Sequence, residues 1–381
     1  MKSRRDNLII DISAVGRFKT GYYTYTCFIL DQVYSGNLFP GQNIYLITSK
    51  KSCINEYILS RKIDQKNKAN IKHILIPSLN PLLRILSCTL LISFLTVLIR
   101  NSTVFSPINY GPMFCFTRHY LFLHDLSVWG LPSDIQHRSK LTASVIQFCI
   151  STSSRFAFKI LCQSNFTKDL LLSEFPKFQN KTSVLCLPYP SKISENCINS
   201  NTASTLSEIN VIPRSILFVS SFYPLKNQML LLKVAKLMTN FNFTLIGNPI
   251  HKEYYQICKE FADGLPNVKL ITSCDDSQLT MMYKRSELYV QPSYFEGLSF
   301  TPLEASSYGC SLLLSDIGAH REFYSKYCLS YFDPSNLESL IESLVKISSE
   351  SFTMPPRFSV SSEVQFSASY HISKLNSFLT C

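Results

Sequence analysis

QPSYFEGLSFTPLEASSYGC, residues 291–310, sets one glutamate, Glu296, directly before a glycine and a second, Glu304, eight positions later. The overlapping ELYVQPS reads as a strand, YFEGLSF as a loop, and TPLEASSYG as a helix with Thr301 at N-cap and Pro302 at the first helical position. A strand that runs through a glycine-bearing loop into a helix is the repeating unit of layered α/β folds. Glu304 then falls at the third helical position, where a glutamate can close a capping box with the threonine. That accounts for Glu304 and leaves Glu296 without a local reason. A carboxylate in a loop at the mouth of a helix N-terminus faces free amides and a dipole that attract phosphate. A sugar nucleotide would bring a diphosphate to those amides and hydroxyls to both carboxylates.

Outward from this stretch, the second half of the chain alternates strand-like and helix-like runs: SILFVSS, MLLLKVAKLM, FNFTLIGN, NVKLIT, SQLTMMYKRS, ELYVQPS, PLEASSYG and SLLLSD. The first half does the same, with NLIIDIS, NIYLIT, HYLFLHD and FKILCQS as strands and GYYTYTCFILDQVY as a helix. Alternation of this kind predicts mostly parallel sheets. Between the halves, residues 191–213 are rich in Ser and Asn without sustained periodicity and read as a linker. The expected organisation is therefore an N-terminal Rossmann-like domain over 1–190, the linker, and a C-terminal Rossmann-like domain over 214–359. In such sheets ligands sit beyond the carboxyl ends of the strands. Four places qualify: the loop from Gly16 to Gly21, the pair His124-Asp125, the segment around Lys226, and the opening stretch.

Composition narrows the class of partner. The net charge of +11 is uneven: residues 1–190 hold 22 Lys+Arg against 9 Asp+Glu, and residues 191–381 hold 15 against 17. A basic half favours an acidic partner. No zinc-finger spacing, RNA-recognition signature or interleaving of aromatic and basic residues supports nucleic acid. An anionic membrane surface fits better, because Ile85 to Ile99 carries no charge and is bracketed by Arg84 and Arg100. Fifteen residues are short for a span, so a buried core helix and an interfacial helix are the two main readings. Thirteen cysteines without a CxxC pair or a zinc-like cluster read as reduced thiols in a cytoplasmic protein, and the start MKSRRDNLIIDIS does not read as a signal peptide.

The frame of Pro292, Ser293, Glu296, Gly297, Leu303, Glu304, Ala305 and Gly309 resembles the signature of glycosyltransferase family 4, the retaining sugar transferases of the GT-B fold. The resemblance covers most of the chain. ILFVSSFYPLKNQMLLL is similar to the family's diphosphate segment, SDIGAHREFY to the strand and turn after the motif, DISAVGRFKTGYYTYT to its N-terminal glycine loop, and HDL to its His-Asp site. It implies two Rossmann-like domains facing across a cleft, with a C-terminal helix, about 360–381, returning to the first domain. It also implies catalytic roles for Glu296, His124, Asp125 and Lys226, and substrate binding by Gly16, Gly21, Leu298, Ser299, Phe300 and Glu304. Glu296 would hold hydroxyls of the transferred sugar and Glu304 the nucleotide ribose. Lys226 would neutralise the departing diphosphate.

Two departures stand out. The family's usual arginine before the lysine is missing, with none between Arg214 and Lys226, and the usual loop glycine is Ser299. Arg321 is a candidate for the missing charge. The chain has no Asp-x-Asp metal element, so Lys226 and the helix N-terminus are expected to meet the leaving charge without a metal or other cofactor. The implied activity is transfer of a mannose-like or glucose-like hexose from a nucleotide sugar to a glycan acceptor, lipid-linked, in bacterial O-antigen, capsule or lipopolysaccharide assembly. The protein would be cytoplasmic, with peripheral contact to the inner face of the plasma membrane. Two rivals remain open: a non-catalytic GT-B subunit that activates a partner transferase, and a nucleotide-sugar epimerase.

Overall fold

The structure, a computed structural model, describes residues 7–13, 15, 21–60, 71–76, 81–99, 101–131, 135, 139–189, 210–349, 355–359 and 363–380. The chain divides into two compact units, one comprising Met1–Gly130, Arg138–Pro190 and Val364–Cys381, the other Leu131–His137 and Ser191–Glu363.

The first unit contains strands β1 (Asn7–Asp11), β2 (Asn43–Ser49), β3 (Ile71–Ile76), β4 (Ser102–Ser106), β5 (Arg118–Leu123), β6 (Lys159–Cys162) and β7 (Thr182–Val184). Between them run helices α1 (Gly21–Tyr34), α2 (Ile54–Ser60), α3 (Pro81–Leu98), α4 (Ser127–Gly130), α5 (Lys140–Phe156) and α6 (Asn165–Glu174). The strands lie in the order β3-β2-β1-β4-β5-β6-β7, and each neighbouring pair is parallel. Leu8 of β1 sits opposite Ile44 on one side and Thr103 on the other. Leu8, Ile9 and Ile10 are all fully buried. Helices cover both faces of a parallel sheet, which is why the strand reads as one unbroken apolar run.

The second unit follows the same plan with β8 (Ile212–Val219), α7 (Gln228–Leu237), β9 (Asn242–Ile246), α8 (Lys252–Ala262), β10 (Val268–Ile271), α9 (Asp276–Arg285) and β11 (Ser286–Gln291). It continues through α10 (Thr301–Tyr308), β12 (Ser311–Ser315), α11 (Gly318–Tyr324), β13 (Cys328–Phe332) and α12 (Leu337–Ser349). The order is β10-β9-β8-β11-β12-β13, again parallel throughout. Strand order reverses between β8 and β11, and a ligand crevice forms beyond the carboxyl ends of strands at such a point. Lys226 follows β8 and Gln291 ends β11, so both flank it.

A last helix, α13 (Ala368–Thr380), packs on the first unit. His371 bonds through Nδ1 to the Cys186 carbonyl at 2.8 Å and through Nε2 to the Tyr25 hydroxyl at 3.0 Å. The Tyr189 amide donates to the Phe366 carbonyl at 2.8 Å just before that helix. No described helix is long and apolar enough to cross a membrane. The Ile85 to Ile99 segment forms most of α3. Most of the expected linker, 191–209, lies outside the described residues, and β8 begins within its last part at Ile212.

Candidate functional site

Lys226 closes a short 3-10 turn, Pro224–Lys226, and Asn227 follows in the left-handed region with φ 55°. That conformation suits asparagine better than most side chains. The Asn227 amide group then donates to the carbonyls of Pro292 (3.2 Å) and Pro334 (2.9 Å), and the Tyr294 backbone amide donates to the Leu225 carbonyl at 2.9 Å. These bonds stitch the turn after β8 to the loop after β11.

The stitching brings two expected site residues into contact. Lys226 Nζ lies 2.7 Å from each carboxylate oxygen of Glu296. Glu296 is buried and its Oε1 also accepts from Gln291 Nε2 at 2.9 Å and from the Ser293 hydroxyl at 2.8 Å. Ser293 is held in turn by its own carbonyl, which accepts from the Ser315 hydroxyl at 2.7 Å. A carboxylate with donors from a lysine, an amide and a hydroxyl has a fixed orientation and a compensated charge. The Lys226 side chain remains a quarter exposed, so the pair has one open side.

Glu304 departs from the capping-box expectation. The helix begins at Thr301, with Phe300 at N-cap and no side-chain cap bond, and the Thr301 hydroxyl instead meets Tyr289 at 2.7 Å. The Glu304 carboxylate turns inward and accepts from the Tyr283 hydroxyl at 2.9 Å. Pro302 inside the first turn and the buried pocket at Tyr283 together account for the difference: the carboxylate follows a strong donor in the interior instead of bending back to the helix mouth. Burial pushes its pKa up to about 7. Gly309 ends the helix with φ 102°, donating to the Ala305 and Ser306 carbonyls, which is the usual glycine stop.

Leu298, Ser299 and Phe300 are half-buried in the loop between the glutamates. Among the described residues nothing accepts from the amides of Leu298 and Ser299. The Ser299 carbonyl is held by the Tyr324 hydroxyl. Arg321, the candidate for the missing diphosphate cation, forms an exposed two-pronged pair with Asp316 at 2.7 and 2.8 Å and lies over the Tyr331 ring. His320, which sequence reasoning passed over, is fully buried with Nδ1 on the Ser315 carbonyl and no partner for Nε2 among the described residues. Burial lowers its pKa to about 4.

The first-unit candidates form a second cluster. His124 is buried, and its Nε2 donates to the Pro107 carbonyl at 2.8 Å. Burial lowers its pKa to about 4, so the ring is neutral with Nδ1 as the remaining acceptor. Asp125 Oδ1 accepts from the backbone and hydroxyl of Ser127 at 3.0 and 2.8 Å, which caps α4, and Oδ2 accepts from Tyr22 at 3.2 Å. Tyr22 adjoins Gly21, the exposed first residue of α1, where an added Cβ would meet nothing within 4 Å. Gly16 lies outside the described residues. Asn109 organises the cluster, accepting from the His124 amide at 2.7 Å and donating to Tyr22 and the Asp125 carbonyl at 2.9 and 2.7 Å. Asp11, another unforeseen group, ends β1 fully buried on Ser13, and burial raises its pKa to about 6. Neither Asn109 nor Asp11 was legible in the sequence, since each is a lone polar residue just past or at the end of a strand.

Comparison with known proteins bears on the fold. Residues 204–358 match the family Glycosyl transferases group 1. No curated protein sequence matches the chain. Among solved structures, HepE of Anabaena in complex with UDP-glucose superposes with a TM-score of 0.64 at 12% identity, covering 98% of this chain and 99% of that one. The lipopolysaccharide outer core galactosyltransferase WaaB gives 0.61 at 15% identity over 98% and 99%. A glycosyltransferase from Rickettsia africae gives 0.57 at 16% identity over 98% of each chain. At these identities the likeness establishes the architecture: two parallel-sheet α/β domains of the GT-B type.

Proposed function

We propose that this protein is a retaining glycosyltransferase that moves a mannose-like or glucose-like hexose from a nucleotide sugar to a lipid-linked glycan acceptor, in the assembly of a bacterial surface polysaccharide. The observation that carries the donor half is the Lys226–Glu296 pair, clamped by Gln291 and Ser293 at the switch point of the second unit. It lies in the part of the chain that matches the family. The UDP-glucose in the HepE complex supports a nucleotide sugar as the donor class.

In this reading the anomeric carbon–oxygen bond to the diphosphate breaks, a bond to the acceptor oxygen forms, and the acceptor hydroxyl's proton passes to an oxygen of the departing diphosphate. Negative charge collects on the diphosphate as it leaves. Lys226 is the cation within reach, and a diphosphate would compete with Glu296 for it. Glu296, released on one side, would turn a carboxylate oxygen to the sugar hydroxyls. The amides of Leu298 and Ser299 would donate to the phosphate or sugar, and Glu304 would accept from the ribose. His124 and Asp125 would contact the sugar or its phosphate from the first unit, with Asp125 acting chiefly by fixing the loop. The chemistry would need no metal.

The experiment is a titration with UDP, GDP and dTDP, followed by turnover of the matching donor with and without excess EDTA. The expected result is binding of one nucleotide and turnover that chelation leaves intact. Lys226→Ala should raise the barrier reported by kcat/KM by about 2–4 kcal/mol, the scale of a lost electrostatic stabiliser. Turnover lost in EDTA and restored by manganese would remove metal independence. Nucleotide binding without any transfer would favour the non-catalytic subunit.

A further inference from the structure

Gln291 is the last residue of β11 and is only 1% exposed. Burying a glutamine is costly unless its carboxamide is fully bonded. Here every position is used. Oε1 accepts from the hydroxyls of Tyr289 at 3.1 Å and Thr301 at 3.3 Å, while Nε2 donates to Glu296 Oε1 at 2.9 Å and reaches the Ser293 hydroxyl at 3.4 Å. A carboxylate paired with a lysine only accepts, so the amide has to turn its NH2 to Glu296 and its oxygen to the hydroxyls. Thr301 opens α10 and also meets the Ser299 hydroxyl at 3.1 Å. The amide is thus tied to β11 and α10 on one side and to the carboxylate on the other.

The two oxygens of Glu296 are not alike. Oε1 accepts from Lys226, Gln291 and Ser293, whereas among the described residues Oε2 accepts from Lys226 alone. A carboxylate oxygen offers about two lone-pair sites. With Lys226 drawn away, Gln291 and Ser293 would still fill Oε1, and Oε2 would have both of its sites open. Without Gln291, the same departure would leave a buried carboxylate on a single hydroxyl, which is a costly state. That cost stays hidden while Lys226 is in place, because the lysine and Ser293 together fill Oε1.

We infer that Gln291 is a positioning residue that keeps Glu296 anchored through Oε1 when a diphosphate draws Lys226 away, which reserves Oε2 for a hydroxyl of the transferred sugar. Ser293 shares the anchoring, its own carbonyl being held by Ser315 at 2.7 Å. The inference deepens the donor half of the proposed function and rests on it for the ligand that moves the lysine. A glutamine that merely filled the end of β11 would matter to the same degree whether or not Lys226 were engaged with Glu296. An anchoring glutamine matters most when the lysine has left.

The test uses Gln291→Met, which keeps the length of the side chain and removes its donor and acceptor. The Tyr289 and Thr301 hydroxyls still bond each other at 2.7 Å, so the variant is expected to fold. Urea unfolding is measured for the parent, Gln291→Met, Lys226→Met and the double variant. The methionine at 291 should lower the midpoint further in the Lys226→Met background than in the parent. Calorimetry with whichever of UDP, GDP and dTDP the parent binds forms the second cycle. Gln291→Met should weaken that binding by about tenfold, the scale of a lost hydrogen bond to a charged group, and should change nothing in a Glu296→Gln background, where no charge is left to hold. Additive urea midpoints, or an equal loss of affinity in both backgrounds, would overturn the inference. A parent that binds none of the three nucleotides would overturn the donor reading, and the urea cycle alone would then decide whether Gln291 anchors Glu296.

Discussion

Glu296 and Glu304 are both buried, yet their surroundings differ in a way that mutation can read. Glu296 faces a lysine, and Glu304 faces a tyrosine. Glu304→Gln is expected to weaken nucleoside diphosphate binding by about 1.5–3 kcal/mol through loss of a charged acceptor. Glu296→Gln should leave nucleotide bound at least as tightly as in the parent, since it frees Lys226, while transfer falls. Equal effects on both readouts from both variants would return the pair to structural roles. The pH dependence follows from the raised pKa of Glu304. Its folded-state value is about 7 against an ordinary 4.5, so the folded protein holds the proton more tightly than the unfolded chain. The stability this confers is full below pH 4.5 and is lost as pH rises through 7. Across that window the Glu304→Gln variant should gain about 3 kcal/mol relative to the parent, measured by urea unfolding at each pH. Parallel profiles would show that the carboxylate is solvated. At this scale the spacing of the two glutamates singled them out, while Lys226 was singled out by its place after a strand and by the family resemblance. The sequence did not show that Gln291 and Ser293 turn back on Glu296 within their own stretch, nor that Tyr283 meets Glu304 once α9 packs on α10.

Whole elements were more legible where burial is complete and less so at sheet edges. The runs at β1, β5, β8 and β12 are apolar on both faces and announce themselves. The edge strand β3 carries Lys72 and His73 in mid-run, and β13 is only half-buried over most of its length, so neither shows an uninterrupted apolar run. The N-terminus of α10 misled for a different reason: a threonine followed by proline and glutamate fits a capping box, but Thr301 meets Tyr289 across the layer instead. One glycine fixes how two of these elements meet. At Gly247, just past β9, an added Cβ would lie 1.8 Å from the Ser220 carbonyl oxygen at the end of β8. Backbone cannot yield as a side-chain tip can. Gly247→Ala should therefore destabilise the second unit by about 3 kcal/mol or more and displace the segment that leads to Lys226. A melt within about a degree of the parent would mean that the Ser220 turn is free to move.

For the whole molecule, charge and chemistry are divided between the two halves of the sequence, with +13 from 22 basic and 9 acidic residues in 1–190 and −2 from 15 and 17 in 191–381. Raising salt from about 0.05 to about 0.3 M more than halves the reach of a charge in water, and a surface held by many charges loses attraction from each of them. If the basic half contacts an anionic surface, binding to phosphatidylglycerol vesicles should thus fall steeply with salt, and binding that salt leaves unchanged would exclude a mainly electrostatic contact. The fold class was readable at this scale because alternation of strand and helix persists through both halves, and no single residue decides it. The return of α13 adds a consequence in time. The first unit closes only when His371 reaches Tyr25, 346 positions earlier in the chain. On a ribosome moving at roughly 5–20 residues per second, the interval between emergence of Pro190 and of that histidine is roughly ten to forty seconds. During it the second unit is synthesised whole while the first keeps its docking groove for α13 uncovered, a window in which chaperones, not the finished fold, must guard it.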